Sequence, residues 1–185
     1  EFFCFQSFTD FPEAKSLLDL ILSEDIYSAA SFFERLYKDF NVEEHSWGYK
    51  IKNLIIPDSL TRIPSWVFAE KKFLHTVNLG ESVVEIGRGA FQSCENLNSV
   101  TIMPMLETLS VNAFRNRTQL EKVLLYDNKD TSALRFIGRC CFKGCIALKK
   151  VELPETCAEI EEQVFYRCES LRQIALPRWL RAISP

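Results

Sequence analysis

Seven cysteines and two histidines in 185 residues are the side chains whose chemistry is worth testing first. A zinc site would bring Cys and His pairs together at short spacings. The chain has no Cys-x-x-Cys pair. Cys141 and Cys145 lie four apart, and only His45 and His75 could join them, both far off in sequence. No metal site is expected on that basis. There is no Gly-rich phosphate loop, no Gly-x-Ser-x-Gly elbow and no metal-binding His pair. The acidic run of Glu159, Glu161 and Glu162 has the character of a solvated face. The sequence therefore predicts no catalytic residue, no cofactor and no enzyme.

What positions the cysteines is a repeat. Phe68, Phe91, Phe114, Phe142 and Phe165 are spaced 23, 23, 28 and 23 residues apart. Ile63, Ile86, Leu109, Ile137 and Ile160 each stand five residues before one of them, and Ile183 stands 23 residues beyond Ile160 as the start of a sixth unit. Such a period means stacked units, none of which can bury its apolar face alone. Cys94, Cys145 and Cys168 share one slot, three residues past the Phe. Cys141 takes the small-residue slot of Ala90 and Ala113, and Cys157 the apolar slot of Leu60, Val83, Leu106, Leu134 and Leu180. These are core-filling places, where cysteine acts as a small hydrophobe. Cys145 and Cys168 fall in adjacent coils, where a separation of about 5 Å would just permit a bridge.

The units predict short strands. Leu97-x-x-Val100-x-Ile102 recurs as Leu120-x-x-Val123-x-Leu125, Leu148-x-x-Val151-x-Leu153 and Leu171-x-x-Ile174-x-Leu176, with Leu54 and Ile56 as a shorter first copy. Alternation around the Val or Ile gives strands with those residues inward, stacked as a parallel sheet about 4.8 Å apart per coil. Pro57, Pro154 and Pro177 end their strands. The return limb has room for a brief strand and one turn of helix. Residues 1–50 lack the beat and read as a helical N-terminal cap or interaction segment. Asp10, Pro12 and Glu13 open one helix, and Ile26, Ala29, Ala30, Phe33, Leu36, Tyr37 and Phe40 line a second. Residues 51–185 form the repeat domain.

Charge marks the same boundary. Residues 1–50 carry 4 Lys/Arg against 10 Asp/Glu, and residues 51–185 carry 18 against 15. Neither balance suits a nucleic-acid binder. No apolar run reaches the roughly 18 residues of a membrane span, and no signal segment opens the chain. It begins at Glu1 without a methionine, so a removed leader or upstream domain is compatible with that.

The pattern Ile86-Gly87-x-Gly89-Ala90-Phe91-x-x-Cys94-x-x-Leu97-x-x-Val100-x-Ile102 resembles the BspA-type leucine-rich repeat, as does Ile137-Gly138-x-x-Cys141-Phe142-x-x-Cys145-x-x-Leu148-x-x-Val151-x-Leu153-Pro154. The resemblance covers residues 51–185. It implies an α/β repeat solenoid of about five to six 23-residue units with a concave parallel β-sheet, here joined to the N-terminal α-helical cap. It also implies a protein-binding, non-catalytic scaffold, often secreted or on a cell surface. Two departures stand out. Lys71 and Arg117 fill the Cys slot, and are expected to turn outwards or snorkel. An insertion of five residues falls around residues 126–132 and is expected to form a loop on one face.

A partner is expected on the outward strand positions. One column runs Ile55, Asn78, Thr101, Leu124, Glu152, Ala175, and its neighbour runs Asn53, Thr76, Ser99, Lys122, Lys150, Gln173. Thr76, Asn78, Ser99, Thr101, Met103, Lys122, Leu124, Tyr126, Lys150 and Glu152 are the candidate contacts, a mixture suited to a protein. Lys143, Lys149, Lys150, Arg167, Arg172, Arg178 and Arg181 make a basic patch over the last two units, fit for an acidic partner. The open C-terminal coil offers a route to self-association. Asn116-Arg117-Thr118 is a glycosylation sequon, relevant only in a eukaryotic secretory pathway. The surface adhesin or receptor fragment implied by the resemblance stands beside an alternative, an intracellular structural subunit, which seven free thiols would favour.

Overall fold

The computed structural model describes residues 2–4, 53–56, 58, 61–125, 132–178, 180 and 182–183. The two helices expected before residue 50 lie outside these. Among the described residues there are thirteen strands and no helix. The longer, front strands are β1 (Phe2–Cys4), β2 (Asn53–Ile55), β4 (Thr76–Asn78), β6 (Ser99–Ile102), β8 (Lys122–Leu125), β10 (Lys150–Glu152) and β12 (Gln173–Ala175). Two-residue back strands alternate with them: β3 (Arg62–Ile63), β5 (Glu85–Ile86), β7 (Thr108–Leu109), β9 (Phe136–Ile137), β11 (Glu159–Ile160) and β13 (Ala182–Ile183). Every pairing is parallel and joins equivalent strands of neighbouring coils. The exception is β1, a strand in a segment whose sequence has no repeat beat. It lies parallel to β2, Phe2 opposite Asn53, and supplies the first coil with a neighbour on that side.

The back strands form one six-stranded sheet, whereas the front strands divide into β1-β2-β4 and β12-β10-β8-β6. Across the seam between β4 and β6, where the front ladder is interrupted, Asn98 N–H donates to the His75 carbonyl at 3.4 Å. Between the two sheets lies the core. Val100, Val123, Val151, Leu97, Leu120 and Leu148 point into it from the front, and Ile63, Ile86, Leu109, Ile137 and Ile160 from the back.

The phenylalanines close each coil and stack in register. Successive ring centroids stand 5.3, 5.5, 5.6 and 5.8 Å apart, with planes tilted by 17° at the first contact and no more than 5° thereafter. The contact that spans the insertion, Phe114 to Phe142, is as close as the others, so the coils on either side of the additional residues keep their stacking. The backbone through the Phe turn is laddered as well. Phe68 N–H donates to the Ala90 carbonyl, Phe91 to Ala113, Phe114 to Cys141 and Phe142 to Val164, all within 2.9–3.0 Å.

The turn itself corrects one expectation. Each return limb has left-handed residues two positions before and two after its Phe, which break any right-handed helical turn. Trp66, Gly89, Asn112, Cys140 and Gln163 make the first column; Glu70, Ser93, Asn116, Gly144 and Arg167 make the second, with φ between 56° and 76°. Gly89 is doubly constrained, because a Cβ there would also lie 2.3 Å from the Trp66 ring. A single hydrogen-bonded turn at the Phe, bounded on each side by one left-handed residue, replaces the predicted helical turn.

An interior coil has neighbours on both sides, and the last described ring has one. Phe114→Ala is expected to cost about 3–5 kcal/mol. Phe165→Ala should cost less than half as much, since Phe165 is only partly buried. Urea denaturation of the two variants checks this, and equal losses would contradict nearest-neighbour stacking as the source of stability.

Candidate functional site

The open face of the front sheet carries two of the three outward positions in each coil as aligned columns. In the first sheet Asn53 lies opposite Thr76, and Ile55 opposite Asn78. In the second, Ser99, Lys122, Lys150 and Gln173 follow one another, Thr101 lies opposite Leu124, and Glu152 opposite Ala175. Thr76, Asn78 and Lys122 are exposed; Ser99, Thr101, Leu124, Lys150 and Glu152 are half-buried. Lys150 pairs with Glu152 at 2.6 Å, and Lys149 with Glu121 at 2.8 Å. The bond from Lys149 holds the Glu121 carboxyl below its usual range.

Met103 does not belong to this face. It is only 4% exposed and packs in the core, because the strand alternation that exposes Thr101 ends at Ile102. Tyr126 lies outside the described residues, as does the insertion from 126 to 131.

The larger correction concerns Arg117, which was expected at the surface. It is completely buried, with its guanidinium carbon 5.8 Å from the Phe91 ring centre and 5.4 Å from that of Phe114. One Nη1–H donates to the Cys94 carbonyl at 3.2 Å, while Nε and Nη2 have no hydrogen-bond partner. The slot predicted this better than the residue type did. Cys94, Cys145 and Cys168 occupy it in other coils and point inward, so the backbone aims Arg117 at the same place. Lys71, in the first copy of that slot, is half-buried.

The thiols of that slot form a ladder. The thiol of Cys94 donates to the Phe68 carbonyl at 2.9 Å, that of Cys145 to Phe114 at 3.3 Å and that of Cys168 to Phe142 at 3.2 Å. Each thus ties its coil to the Phe carbonyl of the coil before. Cys94, Cys140, Cys141, Cys145, Cys157 and Cys168 are free thiols. Burial pushes the Cys145 thiol up to about 12, with neighbouring Cys168 adding to the effect. Burial also raises Cys157 and Cys168 to about 11. Cys141 is raised by burial and then by Cys145, and Cys94 by burial against the opposing charge of Arg117. Arg117 itself is lowered to about 10 by burial, opposed by Cys94, Cys145 and Cys141. Cys94, Cys141, Cys145, Cys157 and Cys168 are thus protonated, unreactive sulfurs serving as donors and filler.

Among the described residues no group of three or more His, Cys, Asp or Glu is placed to hold a metal, and no helix is long and apolar enough to cross a membrane. The architecture is that of a parallel β-solenoid built from stacked 23-residue coils. Residues 43–133 and 130–185 match the BspA type Leucine rich repeat region, in six copies. The chain belongs to that family. Two solved structures share the fold. The T. pallidum leucine-rich repeat protein aligns at 22% identity and TM-score 0.61, over 70% of this chain and 60% of its own. A leucine-rich repeat protein from Eubacterium ventriosum ATCC 27560 aligns at 21% identity and TM-score 0.61, over 72% of this chain and 39% of its own. The chain therefore spans between two-fifths and three-fifths of those proteins. No curated protein matches.

Arg117 and the thiols titrate in opposite senses. The thiols hold protons in the folded state that an unfolded chain releases above about 9, so their stabilisation is complete below that pH and is lost as pH rises through 11–12. The lowered Arg117 favours the folded state only as pH rises above about 10, towards the usual guanidinium range. Several thiols outweigh one guanidinium, so urea midpoints should be level to about pH 8.5 and fall beyond it. Arg117→Met removes a buried, under-bonded charge and should raise stability at pH 7 by about 1–3 kcal/mol. A midpoint that rises with alkali, or a destabilised Met variant, would refute this account of the core.

Proposed function

We propose that the chain is a non-catalytic scaffold that binds a protein partner through the open face of its front sheet. The observation behind this is the register across β6, β8, β10 and β12, which holds outward side chains in fixed columns. Such a face is wide, rigid and chemically mixed, as protein recognition surfaces are. Thr76, Asn78, Ser99, Thr101, Lys122, Leu124, Lys150 and Glu152 are the proposed contacts. The family favours protein binding, and the shared fold is consistent with it.

The test is capture of a partner from the native source by wild type and by a Thr101→Glu, Leu124→Glu variant. Both positions are half-buried on the outward side of the sheet, so circular dichroism and the melting temperature are recorded beside capture to establish that the variant is folded. Partner recovery should drop at least tenfold. Undiminished recovery by a folded variant would place binding elsewhere.

A second reading, a subunit of a larger assembly, is favoured by the last described front strand. Ile174 is 36% exposed and Leu176 43%, whereas their counterparts Val151 and Leu153 are buried. A second copy seated on this edge would bury them. Sedimentation velocity should then show mass rising with concentration, and Ile174→Lys with Leu176→Lys should hold the protein monomeric. A wild type monomeric throughout would eliminate self-association.

A further inference from the structure

The front face changes electrostatic character at the boundary between β6 and β8, and this bears on which partner it fits. On the β4–β6 side, the outward residues are His75, Thr76, Asn78, Asn98, Ser99 and Thr101, none with a formal charge when His is neutral. Across β8, β10 and β12, the corresponding positions hold four cations, Lys122, Lys149, Lys150 and Arg172, against two carboxylates, Glu121 and Glu152. Register brings them together. Lys122, Lys150 and Gln173 are successive Cα partners, and Lys149 and Arg172 follow Glu121 in the adjoining column through backbone bonds of 2.9 and 3.1 Å.

Pairing leaves an imbalance. Glu121 is taken by Lys149 and Glu152 by Lys150. Lys122 and Arg172 are exposed and form no ion pair among the described residues. They flank the lysine pair from opposite sides, two strand spacings apart, or about 10 Å. Ion pairs this exposed are weak and exchange readily, so all four cations remain available to an incoming carboxylate.

We infer that the β8–β12 half of the front face receives a carboxylate-rich segment of a protein partner, while the uncharged β4–β6 half contacts it through hydroxyl and amide groups. This rests on the front-face reading and adds the partner's chemistry and polarity. The acidic end of the partner lies over Lys122 and Arg172, and its neutral end over Thr76 and Asn78. A nucleic acid fits less well, because the two carboxylates sit among the cations and the excess is small.

The experiment uses fluorescence anisotropy with three labelled probes: a glutamate-serine peptide, the same peptide with lysine for glutamate, and an oligo-dT strand. The acidic peptide should bind wild type and weaken steeply with added salt. Lys122→Glu with Arg172→Glu should weaken it at least tenfold. Arg88→Glu with Arg139→Glu, an equal charge change at the back turn, should leave it within twofold. Equal loss in both variants would reduce the effect to net charge and overturn the inference, as would tighter binding of oligo-dT or no binding of the acidic peptide. Capture of the native partner separates the two levels. If Lys122→Glu, Arg172→Glu captures it normally while Thr101→Glu, Leu124→Glu does not, the face stands and its acidic partner falls. Retained capture by the second variant removes the face itself.

Discussion

One repeat distance governs this molecule. A parallel ladder fixes neighbouring backbones about 4.8 Å apart, and flat rings stacked on the same axis prefer nearly the same separation. The Phe stack, at 5.3–5.8 Å, satisfies both conditions at once. Because the ladder and the rings agree, a coil can be added without strain, and its apolar residues meet their own counterparts. The inward Val, Ile and Leu, the thiol ladder and the left-handed turns all inherit that spacing.

The same constraint explains how irregular residues are tolerated. A charged Arg117 can occupy a core slot because it packs against the stacked Phe91 and Phe114 rings, and because the backbone aims it inward. Cation–π attraction and one hydrogen bond offset part of the desolvation cost, and the depressed basicity of the group records what is left over. The insertion between β8 and β9 is tolerated for a related reason. Ladder partners on either side of it keep their register, so the added length leaves the stack undisturbed.

Periodicity made the coils legible. The Phe spacing located the turns, and the Leu-x-x-Val-x-Leu segments located the front strands and their columns. Residue type misled where slot and chemistry disagreed. Arginine as a residue type points to the surface, whereas the slot of Arg117 belongs to the core. Met103 was placed on the face by extending an alternation past the strand's end. The left-handed columns were hidden because only Gly89 and Gly144 among their ten members are glycines; Trp66, Gln163 and Arg167 give no local sign of such a turn. Strand β1 was invisible for another reason. It joins the sheet as a backbone ladder partner of β2, and a ladder needs no repeat signature. What the face binds is a property of the partner as much as of the chain, so the columns could be read and their counterpart could not.

The unequal continuity of the two sheets carries a mechanical meaning. The back ladder runs unbroken through six strands, while the front one is interrupted between β4 and β6. Tension along the solenoid axis is therefore borne by the back, which acts as a spine, and the front seam is the place that yields first. Bending about that spine would change the tilt between the two halves of the face without unfolding a coil. A stack of similar units thus acquires a joint, set by an interruption in its front ladder rather than by a flexible linker.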